Sequence, residues 1–192
     1  MSAQIDIFGT SIAPKYPEGF RYEPNVLSGG QEQDALEHIG ALPFREFEFH
    51  GYVGKRRVVS FGWKYDFSAR ELHRTDDMPD FLKAIRQVAA RFADIEPDRL
   101  QHALVTEYSP GAAIGWHRDR PEFGDVVGIS LLAACTFRLR RQRDGGWERV
   151  SLIAEPRSAY LLRGSSRKDW EHSIPPVNEL RYSITFRNLR EA

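Results

Sequence analysis

The chain is short of cysteine, of net charge and of long apolar runs, and each shortage excludes something. A single cysteine, Cys135, rules out any disulfide within the chain and fits a reducing compartment. It sits in the apolar run LLAACTFRL, where a lone thiol behaves as a small buried hydrophobe. Lysine plus arginine and aspartate plus glutamate both number 27, so no global field advertises nucleic acid, and any such binding must rest on local patches. No run of about eighteen apolar residues occurs. The opening MSAQIDIFGTSIAPKYPEGF has no charged start followed by a long apolar stretch. Neither a membrane span nor a secretory leader is expected, and the cytoplasm is the expected compartment. Internal repeats and low-complexity segments are also missing, as are the HExxH and all-cysteine patterns of common zinc sites.

What is present suits one sizeable core. With 192 residues, 41% of them hydrophobic, a single monomeric domain over residues 1–192 is expected. Residues 1–99 read as an N-terminal part. An irregular arm rich in Pro, Gly and aromatics fills the first 27 residues. A short helix over about 31–40 follows, with Ser28 as its cap. Next comes a hairpin from Phe44 to Tyr65, then a helix beginning near Pro79 whose apolar stripe is Phe81, Leu82, Ile85, Val88, Ala89 and Phe92.

After Leu100 the apolar period switches from helical to alternating. HALVTEY, IGWHRD, VVGISLL, CTFRLRR, WERVSLIA, SAYLLRG, WEHSI and RYSITFRNL read as short strands between Pro, Gly and Asp turns. Closely spaced strands of this kind make a sandwich or jelly-roll barrel with the earlier helices on its outer face, an α+β fold that is mainly β.

His117 and Asp119 lie two apart, so in extended chain both point to one face. Alone this means little. With six histidines in the chain, a chance H-x-D arises about one time in three, and a surface charge pair would explain it. His172, in a later strand, completes two imidazoles and one carboxylate, the set that holds non-haem Fe(II) with positions left open. Zinc is the competitor; iron is favoured.

The last strand, RYSITFR, alternates Arg181, Ser183, Thr185 and Arg187 against Tyr182, Ile184 and Phe186. A cationic face turned into a barrel needs an anion to meet it, whereas an edge strand would leave the arginines in water. Six residues of strand span roughly 20 Å, so the two arginines cannot both grip one small acid from directly opposite.

YSPGAAIGWHRD, WEHSIPP and RYSITFR together resemble the AlkB-type Fe(II)/2-oxoglutarate-dependent dioxygenases over residues 100–190. The resemblance implies a double-stranded β-helix that uses Fe(II), 2-oxoglutarate and O2. It implies iron ligands His117, Asp119 and His172, with 2-oxoglutarate held by Tyr108 and Arg181. Arg187 is then expected nearer the metal, orienting Asp119 or the nearer carboxylate. Thr106 and Ser183 stand where the family's founding DNA-repair type has asparagines, and both can still donate a hydrogen bond over a shorter reach. Arg118 replaces a smaller polar residue between the ligands, at the rim of the substrate pocket.

What the resemblance implies for function is oxidative demethylation of alkylated bases in DNA or RNA, as in DNA repair. Trp63, Tyr65 and Trp116 are candidate stacking platforms, although aromatics in strands more often belong to a core. The basic stretches GKRR (54–57) and RLRRQR (138–143) are candidate phosphate contacts or plain solvated faces. The same chemistry on a methylated protein or small molecule is a second reading, and a non-catalytic, metal-retaining binding module a third. His38, His50, His73 and His102 carry no expected role.

Overall fold

The computed structural model describes residues 16–49, 52–66 and 71–190. Residues 1–15 of the expected arm, and residues 50–51 and 67–70, lie outside them.

Eight strands follow Leu100, as the alternation leads one to expect: β6 (His102–Tyr108), β7 (Ile114–His117), β8 (Phe123–Leu131), β9 (Cys135–Arg143), β10 (Gly146–Ala154), β11 (Ala159–Leu162), β12 (Glu171–Ile174) and β13 (Arg181–Leu189). They divide four and four between two antiparallel sheets, ordered β11-β8-β13-β6 and β10-β9-β12-β7, which is the double-stranded β-helix. The first sheet is extended to seven strands by β1 (Phe20–Glu23) beside β11, and by β3 (Tyr52–Phe61) and β2 (Arg45–Phe49) beside β6. The N-terminal arm is thus not wholly irregular. Phe20 to Glu23 pair with Leu162 to Ala159, which caps an otherwise open sheet edge.

The hairpin also differs from expectation. Its strand does not run on from Val58 to Tyr65 but breaks at Gly62, whose φ of +74° only glycine adopts without strain, and β4 (Trp63–Asp66) then pairs with β5 (Glu71–Arg74) in a separate ribbon. The GKRR stretch lies within β3, not in a turn.

Two apolar layers follow from the period-two alternation of the large sheet. On its outer face Ile184, Phe186, Val105 and Ile129 pack against α1 (Gly29–Gly40) and α2 (Asp80–Ala93). Helix α1 starts on a reciprocal cap, Ser28 Oγ accepting from Gln31 N–H and the Gln31 side chain accepting from Ser28 N–H. Helix α2 buries the predicted stripe from Phe81 to Phe92, Val88 being only partly buried, and ends at Asp94 in the left-handed region. The barrel interior holds a second cluster, including Tyr108, Val126, Phe137, Leu139, Tyr160 and Trp170. This second layer surrounds the polar residues of interest. Among the described residues no helix is long and apolar enough to cross a membrane.

Candidate active site

The inner face of β13 carries Arg181, Ser183, Thr185 and Arg187, all buried, as the alternation requires. Pairing sets what faces each of them. Arg181 lies opposite Tyr108, Ser183 between Thr106 and Ser130, and Arg187 beside His102. The turn before β7 is closed by Ala112 N–H donating to Ser109 C=O, with Pro110 and then Gly111 at φ +81°, the pattern of a type II turn. That turn brings His117 back across from β12, where it pairs directly with His172.

The two imidazole centroids are 4.2 Å apart, and His172 Nε2 stands 3.8 Å from Asp119 Oδ2. The His117 Nδ1–H donates to Gly115 C=O at 2.9 Å, which leaves Nε2 with its lone pair free. Asp119 is divided between two tasks. Its Oδ1 accepts from Arg187 Nε (3.1 Å) and Nη2 (2.7 Å), while buried Oδ2 has no hydrogen-bond partner. Burial alone would raise the Asp119 pKa, but Arg187, then His172 and His117, hold the carboxyl well below its usual range. Burial and the neighbouring His117 push His172 down to about 3, so its ring is neutral and able to donate a lone pair. Among the described residues no group of three His, Cys, Asp or Glu stands at metal-holding distances as the side chains are placed. The orphaned Oδ2 beside two neutral-capable imidazoles is nonetheless a donor set suited to Fe(II), and the three side chains are brought to one place.

A second orphan lies deeper in the barrel. Arg181 is 1% exposed, donates from Nη2 to Ser130 Oγ at 3.1 Å, and has its guanidinium 4.8 Å from the centre of the Tyr108 ring. Among the described residues its Nε and Nη1 have no partner and no carboxylate pairs with it. A buried guanidinium with two unanswered donors is costly unless an anion arrives, and a carboxylate matches the fork. Thr106 and Ser183 are buried in the same row of hydroxyls as Ser130.

Three residues here escaped the reading of the sequence. His102, given no role there, is buried, its Nδ1 lies 3.3 Å from Arg187 Nη1, and burial, then Arg187, push its pKa well down. It is a neutral acceptor that braces the arginine gripping Asp119. Ser130 anchors Arg181. Tyr160 lies over Gly128 so closely that a β-carbon there would meet its ring at 2.1 Å. All three sit at inward positions of strands already recognised, and a polar side chain at such a position was the signal available.

Trp63 and Trp116 are not brought to the site, whereas Tyr65 stands against Arg120, which lines a cavity beside Asp119. Trp116 points to the opposite face of its sheet from His117, beneath the guanidinium groups of Arg138 (4.9 Å) and Arg140 (4.4 Å). Those half-buried arginines are occupied, Arg138 donating to Ser173 Oγ and Arg140 paired with Glu171 at 2.7 Å. Trp63 lies under Arg74 in the separate ribbon. Tyr65 is buried, with Arg120 over its ring and donating to its hydroxyl. Arg118 lines a cavity beside Asp119.

Residues 19–187 match the family model of the 2OG-Fe(II) oxygenase superfamily. The chain belongs to that superfamily. Its members are 2-oxoglutarate-dependent dioxygenases that use Fe(II), 2-oxoglutarate and O2, the class to which the chain therefore belongs. It is 25% identical over 178 residues to the "Alkylated DNA repair protein ALKBH8 homolog" of Arabidopsis thaliana, covering 79% of this chain and 49% of that protein. It is 28% identical over 166 residues to the mouse (Mus musculus) "Alpha-ketoglutarate-dependent dioxygenase alkB homolog 7, mitochondrial", covering 80% and 73%. The chain thus spans about half the length of the Arabidopsis relative. The solved structure "The structure of OsALKBH1" shares the fold at a TM-score of 0.67 and 17% identity, over 91% of this chain and 99% of that one.

Proposed function

We propose that the protein oxidatively demethylates alkylated nucleobases in DNA or RNA. In this reading His117, Asp119 and His172 hold Fe(II), and Arg181 with Tyr108 holds the far carboxylate of 2-oxoglutarate. The hydroxyls of Thr106 and Ser183 complete the lining of that pocket. Arg187, braced by His102, fixes Asp119 so that Oδ2 faces the metal. Iron, with 2-oxoglutarate and O2 bound, would supply the oxidant: one oxygen atom of O2 goes into succinate as 2-oxoglutarate loses CO2, and the other hydroxylates an N-methyl carbon, whose hemiaminal product sheds formaldehyde. The protein's own contribution is to hold the acid end of the co-substrate in a dry barrel and to keep the triad on one side of the metal.

One observation carries the substrate class. A cavity of about 620 Å³ opens against Asp119, and Arg118, Arg120, Arg167, Lys168 and Arg190 line it with only Asp119 and Asp125 as acids. A chain of zero net charge has concentrated cations at the door of its reaction centre, as a polyanionic substrate needs. The name of one relative, an alkylated DNA repair protein homolog, points the same way. The test offers N-methylated oligonucleotides and N-methylated peptides to the Fe(II)-loaded protein with 2-oxoglutarate and measures formaldehyde. Release from the oligonucleotides is the expected result; release from the peptides alone would overturn the reading.

A further inference from the structure

The cations around the cavity beside Asp119 differ in what they already hold. Arg167 is spent on the protein: its Nε donates to Gly124 C=O (2.9 Å) and its Nη2 to Arg120 C=O (2.6 Å) and Phe123 C=O (3.0 Å). It ties down the loop that forms one wall. Arg120 is engaged by the Tyr65 hydroxyl and by Glu122 at 3.3 Å. Both lining acids are neutralised from outside the lining, Asp119 by Arg187 at 2.7 Å and Asp125 by Arg163 at 2.6 Å.

Three cations remain. Arg118 makes one long contact, to Asp169 C=O at 3.4 Å, and Lys168 and Arg190 have no acidic partner among the described residues. They come from three separate places, the loop after β7, the end of α3 (Gly164–Lys168) and the residue after β13, yet they line one cavity. Burial and, in smaller part, the neighbouring Arg190 disfavour the charge of Arg167, and positive side chains are crowded along this wall of the cavity.

We infer that Arg118, Lys168 and Arg190 form a phosphate subsite that seats the backbone of the nucleotide whose base enters the reaction centre. The inference rests on the nucleic-acid reading above and deepens it, since it says which surface carries the strand. The arginine-rich face of β9, already paired with Glu171 and covering Trp116, is then not the strand's path. Seating the phosphate beside Asp119 puts the sugar and base of the same nucleotide at the mouth of the barrel, which suits an enzyme that must work on an extruded or unpaired base.

The test is binding of a fluorescent single-stranded oligonucleotide to the full-length chain, by anisotropy, over a series of salt concentrations. Wild type is expected to bind with a slope of log K against log salt set by the phosphates it neutralises. The double variant Lys168→Gln/Arg190→Gln is expected to lower that slope by about one per lost contact, and Lys168→Arg to keep it. An unchanged thermal midpoint shows that the variants fold; if the double variant does not fold, the single variants Lys168→Gln and Arg190→Gln carry the same comparison. Wild-type binding whose slope is the same in the variants would overturn the subsite and leave the nucleic-acid reading standing. No oligonucleotide binding by wild type near physiological ionic strength would remove that reading and the subsite with it.

Discussion

Arg181 and Asp119 each spend part of their hydrogen-bonding capacity on the protein and keep the rest in reserve. The free part of Arg181 belongs to a planar fork that an ammonium cannot copy. Arg181→Lys should therefore raise the apparent KM for 2-oxoglutarate about 10- to 100-fold, the equivalent of one charge-assisted hydrogen bond of roughly 1.5–3 kcal/mol, while iron still binds. A 2-oxoglutarate dependence equal to that of wild type would refute the assignment. His102 acts one step further from the metal. Replacing it by leucine leaves Arg187 Nη1 buried without an acceptor, so Asp119 is less well held and iron affinity should fall by at least about tenfold, with glutamine restoring part of it. Loss of stability with unchanged iron affinity would mean that His102 serves only the core.

The elements differ in how plainly they can be read from the residues. Strand β13 was legible because its period is strict and its outer residues are apolar, so the two arginines had to share an inner face. The pairing of β12 with β7 was not legible, because register depends on turns and sheet order that no single strand encodes. The positions of Trp63 and Trp116 failed for a related reason. A one-residue change of parity, or a glycine break such as that at Gly62, moves an aromatic from the pocket side to the other face. Gly128 in β8 tests how tightly the inner faces are matched. A β-carbon there must displace the Tyr160 ring, so Gly128→Ala should cost about 1–3 kcal/mol in chemical denaturation, and much less in a Tyr160→Ala background. Equal costs in both backgrounds would show that the ring is not what excludes the methyl group.

At the scale of the whole molecule, one sheet separates two interiors, apolar towards α1 and α2 and polar-lined within the barrel. The barrel stores neutral histidines and unpaired charge, which makes the metal-free protein sensitive to acid. His172 titrates near 3 in the fold against an ordinary 6.5, and His102 is shifted in the same direction. Below about pH 6.5 the unfolded chain takes up protons that the folded one refuses, so stability is full above that pH and declines as the pH falls towards 3. Thermal midpoints of the metal-free chain should drop over this window, and His102→Gln should flatten part of the decline. Metal binding by the triad is the most direct consequence of this arrangement. Equilibrium dialysis under anaerobic conditions should find about one Fe(II) per chain in wild type and none in His172→Ala. A full equivalent of iron retained by His172→Ala would contradict the site on which the function is built.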